Sequence, residues 1–191
     1  MKLFYNFLSA SSLIKVFSLI ILISALFITG CSKDDDPTGP ENNDNPGGNT
    51  AVNSMVINGG GYTNKTVNFM LAQGSYSVSD ALTGCVLSGN TDIMSITMVF
   101  PGNQAGSSKW DDYTTNSSNA TTGIVLVIGG STSAKSFAPK FESGTTNITA
   151  YGAVNGKING NFSGTLYNPA NESEQITINC NFSINRLPDS E

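Results

Sequence analysis

The residue types that carry chemistry are sparse in this chain. It contains no histidine. That removes Ser-His-Asp and Cys-His nucleophilic catalysis, histidine-ligated zinc and a histidine pH switch together. Carboxylates remain: Asp80, Asp92, Asp111, Asp112, Glu142, Glu172 and Glu174 fall where apolar residues are frequent. A glycosidase needs two of them about 5 to 10 Å apart, and no motif announces such a pair. The chain is therefore expected to be non-catalytic, with a carboxylate-based envelope hydrolase as a second reading. Gly59-Gly60-Gly61 is a turn rather than a phosphate loop, because no helix start or Gly-Lys-Ser/Thr follows it. Neither a cofactor nor a metal site is expected.

Two further groupings have chemical content. Trp110-Asp111-Asp112-Tyr113 places large aromatics beside acids in an otherwise polar stretch. Aromatic faces stack on sugar rings, and carboxylates accept sugar hydroxyl protons or hold Ca²⁺, so these four are a candidate ligand contact. The competing reading makes Trp110 a core plug with a satisfied N–H and the acids solvated turn residues. Cys85 and Cys180 are either a disulfide, as an oxidising compartment favours, or two buried thiols packing as small apolar groups.

The third cysteine has a context of its own. Lys2 and Lys15 precede an apolar run from Val16 to Ile28, which is shorter than the about 20 residues of a membrane span. The run ends at Ile28-Thr29-Gly30-Cys31. This tetrad resembles the lipobox of bacterial lipoproteins: a branched apolar residue, two small residues and the cysteine. The resemblance implies cleavage of residues 1–30, recognition through Ile28, Thr29 and Gly30, and lipidation of Cys31 with diacylglycerol and a palmitate-type acyl chain. Each buried CH₂ contributes about 0.8 kcal/mol, so two or three chains anchor a soluble domain durably where one does not. Ser32-Lys33-Asp34-Asp35-Asp36 resembles the export signal of surface-exposed lipoproteins in Bacteroidota-type bacteria. It implies an outer-membrane, cell-surface location, with the periplasmic face as the alternative.

Loss of residues 1–30 removes two lysines and no acids, moving the formal net charge from −5 to −7. Lys65, Lys109, Lys135, Lys140, Lys157 and Arg186 are scattered. No basic stripe exists for nucleic acid. Residues 31–50 are mostly Asp, Asn, Pro and Gly after the cysteine. Such a segment cannot bury enough apolar surface to offset its ordering entropy, and reads as a disordered tether.

From residue 51 to 191 short apolar runs return, separated by Gly, Ser, Thr and Asn. Strands are expected at 55–57, 66–72, 83–87, 93–100 and 124–128, the last as a β-branched run covered on both sides. Residues 135–141 read as an edge strand because of Pro139. Asn155-Gly156 is a hairpin signal that would pair Tyr151 with Gly160. Ile176, Ile178, Cys180, Phe182 and Ile184 alternate with polar residues, the clearest period of two in the chain. The run Gly160 to Leu166 followed by 176–187 resembles the end of uncharacterised lipoprotein β domains of the same bacteria, which supports the fold and implies no activity. Eight to ten short strands predict an all-β, antiparallel sandwich, with a closed lipocalin-like barrel as the alternative. The functional expectation is a membrane-anchored domain that binds glycan or an envelope partner. A small-ligand carrier and a purely structural envelope component are the alternatives.

Overall fold

One ladder decides the architecture: the first strand, Ser54–Gly59 (β1), pairs antiparallel with the last, Asn171–Arg186 (β9). The computed structural model describes residues 52–89, 94–115, 121–129 and 134–191. The leader, the Ile28–Cys31 tetrad, the Ser32–Asp36 run and the tether lie outside the described residues. Between β1 and β9 run β2 (Tyr62–Ser77), β3 (Leu82–Gly89), β4 (Met94–Pro101), β5 (Gly106–Lys109), β6 (Gly123–Ile128), β7 (Lys135–Tyr151) and β8 (Lys157–Asn168). Around the ring the order is β1-β2-β3-β4-β6-β7-β8-β9, with every neighbour antiparallel. The short β5 pairs with β7 at Thr145–Ile148, and β6 pairs with β7 at Lys135–Phe137, so the two segments share one stave.

The protein is all-β, and its sheet is a closed eight-stranded antiparallel barrel. The sandwich expectation is thereby corrected in favour of its closed-barrel alternative. Apolar–polar alternation is the same in both architectures. The β1–β9 pairing and the 16- and 17-residue lengths of β2, β7 and β9 select closure.

An eight-stranded barrel has an interior just wide enough for side chains to fill, and here they fill it. Met55, Ile57, Leu87, Ile96, Met98, Leu126, Phe137, Ile158, Phe162, Leu166 and Ile176 are all buried in a single cluster. On β9, Ile176, Ile178, Cys180, Phe182 and Ile184 point inward, as their period of two requires. On β6 the pattern differs from expectation. Ile124, Leu126 and Ile128 are buried, whereas Val125 and Val127 are only half-buried, because the barrel wall has a single layer.

The hairpin between β7 and β8 keeps Asn155-Gly156 at its tip but not the expected register. Tyr151 pairs with Ile158, and Gly160 faces Ile148 on one side and Phe182 on the other. Only Asn155 of the pair takes positive φ, 67°, in a turn closed by the Gly156 N–H donating to the Ala153 carbonyl at 2.8 Å. A bulge between Ile148 and Ala150 supplies the offset. Phe182, not Tyr151, lies across Gly160, and its ring stacks on Phe162 at 5.9 Å. Residues 135–141 are likewise part of the closed wall rather than an edge.

β1 is shorter than its neighbours. Beyond its N-terminal end, β2 and β9 pair directly and in parallel, Gln73 with Asn185 and Gly74 with Arg186. Asn53 sits at the fork with φ 60°. Its N–H donates to the Asn181 carbonyl, its carbonyl accepts from the Phe69 N–H, and its side-chain amide exchanges two hydrogen bonds with the backbone of Ser183. The side chain continues the ladder where the strand stops. The same end of the barrel is capped by Arg186, whose guanidinium lies 4.9 Å from the Tyr151 ring centre and pairs with Asp189 at 2.7 Å.

Candidate functional site

The stave shared by β5 and β6 is interrupted, and Trp110 stands at the break. Its side chain is fully buried, and the indole N–H donates to Thr146 Oγ1 at 2.9 Å. The ring lies against Gly144 of β7 and Gly164 of β8, which face each other in the ladder. A Cβ on either glycine would overlap the ring. Trp110 is thus a core plug and presents no face for a sugar to stack on. Of the two readings of this residue, the geometry agrees with the core plug and its satisfied N–H, not with a ligand contact.

Its neighbours hold described residues on both sides of 116–120. Asp111 Oδ2 accepts from the N–H groups of Thr121 and Thr122 at 2.7 and 2.8 Å. Asp112 accepts from the N–H and hydroxyl groups of both Thr114 and Thr115, at 2.6 to 3.1 Å. Burial disfavours the Asp112 charge, but these four donors outweigh it and hold the carboxyl down at about 2. Tyr113 packs its ring on Gly123, and burial, aided by the Asp111 charge, pushes its phenol up to about 12. The sequence cluster is therefore brought together, but as loop-forming knots around a buried plug.

Opposite this loop, β7 departs from the ladder. Pro139 pairs with Leu166 and Gly144 with Gly164, so Lys140 to Ser143 face the single residue Thr165. This large bulge is closely held. The Glu142 N–H donates to the Trp110 carbonyl, the Trp110 N–H to the Gly144 carbonyl, and the Lys140 N–H to Ser143 Oγ. Glu142 takes φ 55°, a conformation that a non-glycine residue adopts only when its surroundings enforce it. The bulge turns Phe141 outward, with 69% of its surface exposed. Beside it, Lys140 Nζ lies 4.7 Å from the Tyr167 ring centre and pairs with Glu172 at 2.7 Å. An exposed ring is thus followed in the chain by Glu142 and preceded by a lysine tied to Tyr167 and Glu172. The sequence reading missed Phe141, because strand alternation from Phe137 places residue 141 inside. The signal was the Glu142-Ser143-Gly144 interruption after Pro139.

A second concavity lies at the barrel mouth, beside the β8–β9 turn. It is a cleft of ≈ 220 Å³ with Tyr62, Ile128 and Phe137 as its apolar wall. Lys135 and Glu174 form an ion pair at its rim, 2.7 Å apart, and Asn168 Nδ2 donates to the second Glu174 oxygen at 2.8 Å. The hydrogen bond with Glu174 holds Lys135 more strongly protonated, and the Lys135 and Asn168 donors lower the Glu174 carboxyl.

Of the two readings of Cys85 and Cys180, the structure has the buried thiols and not the disulfide. Cys85 and Cys180 are free, buried thiols on β3 and β9, staves separated by β2 and β1. Burial raises both thiols, Cys180 to about 12, so neither is a ready nucleophile. Among the described residues no group of three or more His, Cys, Asp and Glu side chains gathers as a metal site. No protein-family model matches this chain, and no curated protein or solved structure matches it.

Proposed function

We propose that this chain is a lipid-anchored outer-membrane protein, held through Cys31 and facing the cell exterior. Its barrel is a non-catalytic module that binds glycan or an envelope partner on the bulge face. The lipobox-like tetrad and the acidic run support the anchor and the address. The exposed Phe141 ring on a tightly held bulge supports the binding face. A ring there receives the C–H edges of a sugar, while Lys140, Glu142 and Glu172 stand ready for its hydroxyls. Barrel closure speaks for a carrier, yet the interior is occupied by side chains, which favours an external site over an enclosed one.

The test is a glycan-array screen of the full-length protein, followed by titration of any hit against Phe141→Ala. Phe141 is exposed, so the variant's stability stays within about 0.5 kcal/mol of the parent. Binding should weaken at least about tenfold, as for an aromatic anchor in a contact face. Undiminished binding by Phe141→Ala removes the bulge face from the proposal. Absence of any glycan hit removes the glycan and leaves only the envelope partner.

A further inference from the structure

The mouth cleft has properties that the barrel itself does not require. Two of its lining residues are glycines in conformations that side-chain-bearing residues rarely adopt: Gly60 at φ 57° and Gly129 at φ 103°. Phe137 and Ile128 form its closed floor, at only 1% and 9% exposed, so the apolar surface open to a ligand is chiefly that of Tyr62. Tyr62, also in the lining, is partly buried and packs on the core.

The polar groups at this rim carry both signs. Lys135 and Glu174 are matched in charge and 2.7 Å apart, so the lining as a whole is neutral. A simple anion would gain from Lys135 and be repelled by Glu174, and a simple cation the reverse. A head group bearing both charges, one carbon apart, meets both without leaving either unpaired. The pair is also braced for that role. Asn168 fixes the second Glu174 oxygen, and its own Oδ1 accepts from the Ala170 N–H at 2.9 Å. That brace would hold Glu174 in place if its first oxygen exchanged Lys135 for a ligand ammonium and the freed Lys135 took a ligand carboxylate.

Size sets the remainder of the ligand. An apolar cavity of about 150 Å³ takes up benzene, so ≈ 220 Å³ accommodates one ring or a branched alkyl group with a small head. It falls below the about 300 Å³ at which drug-sized pockets begin. We propose that the barrel mouth is a binding site for a free α-amino acid with an apolar side chain. Its carboxylate would sit on Lys135, its ammonium on Glu174, and its side chain against Tyr62, over the floor that Ile128 and Phe137 close. This site is separate from the bulge face and does not depend on it.

The experiment is calorimetric titration of the full-length protein with L-leucine and L-phenylalanine. Leucine methyl ester, which lacks the carboxylate charge, and N-acetyl-leucine, which lacks the ammonium, are the comparison ligands. Saturable binding of the free amino acids is expected, at least about tenfold tighter than either blocked form, since each loses one charge-assisted hydrogen bond. Lys135→Met and Glu174→Gln should each cost at least about tenfold in affinity. Their melting temperatures should be nearly unchanged, because an exposed ion pair adds little to stability. The Ile128 methyl resonances of the unmodified protein give a readout that needs no variant, and they should shift on titration. Equal affinity for the blocked forms, full affinity in both variants, saturation with the Ile128 methyls unmoved, or no saturation at millimolar ligand would each overturn the proposal.

Discussion

The contact between Trp110 and the facing glycines of β7 and β8 supports a quantitative forecast. Consider Gly144→Ala. The added methyl would overlap ring carbons Cε3 and Cζ3 of Trp110. The indole cannot retreat, because it is fully buried and tied to Thr146. Overpacking of this kind costs about 1–3 kcal/mol and occasionally more. With backbone behind the glycine and a rigid ring before it, the upper part of the range applies: about 3 kcal/mol. Trp110→Leu costs about 3–5 kcal/mol by itself, the usual range for truncating a large buried aromatic. It also leaves Thr146 without its indole donor.

The double variant separates this contact from general fragility. Once the ring is gone, the methyl added by Gly144→Ala enters the vacated space, and its penalty should largely disappear. The double variant is therefore expected to be about 2–3 kcal/mol more stable than the sum of the singles predicts, a coupling typical of residues in contact. Urea unfolding of residues 51–191, followed by far-ultraviolet circular dichroism, measures all four corners of the cycle. Against a typical net stability of about 5–15 kcal/mol, each single variant should still fold at low temperature. Additivity within about 0.5 kcal/mol would refute the reasoning, because the glycines would then be small for some cause other than the ring.

The other expectations can be checked separately. A thiol reagent should find no reactive cysteine in folded 51–191, two once it is unfolded without reductant, and reductant should leave its melting temperature unchanged; a thiol-free unfolded chain would reinstate the bridge. Asp112 carries a carboxyl held at about 2 against an ordinary 3.8, so its stabilisation is present above about pH 4 and lost as pH falls toward 2. Discounted for solvent screening, Asp112→Asn should cost about 1 kcal/mol at neutral pH and only a small fraction of that near pH 2, where the folded-state carboxyl is half charged; a cost independent of pH, in unfolding series at both values, would contradict this. Cys31→Ala should abolish incorporation of a palmitate analogue and release the protein from membranes. Continued labelling and membrane fractionation would end the lipoprotein proposal.

Much of the wall was legible before the structure. Period-two alternation in β9 and β4 announces its buried face directly, because successive strand residues point to opposite sides of a sheet. Glycine and asparagine likewise marked the turns at 59–61 and 155–156. Local signals such as these depend only on a residue and its immediate neighbours. The proposal that the Ile28–Cys31 tetrad is a processing signal is of the same kind, since it rests on a linear segment alone.

What required the tertiary structure was every property that depends on a partner distant in the chain. Whether alternating strands close or stack depends on β1 finding β9, and the two interior faces have the same composition either way. The fates of Cys85 and Cys180 followed from ring order, which sets two intervening staves between them. The roles of Trp110 and Phe141 exchanged for a related reason. Trp110 lies in a polar stretch yet turns inward, because Gly144 and Gly164 leave room for it. Phe141 lies in an apolar strand yet turns outward, because the backbone bonds to that same tryptophan hold the bulge. Which aromatic meets solvent is fixed by the volume available inside the barrel, and that volume exists only after the sheet has closed.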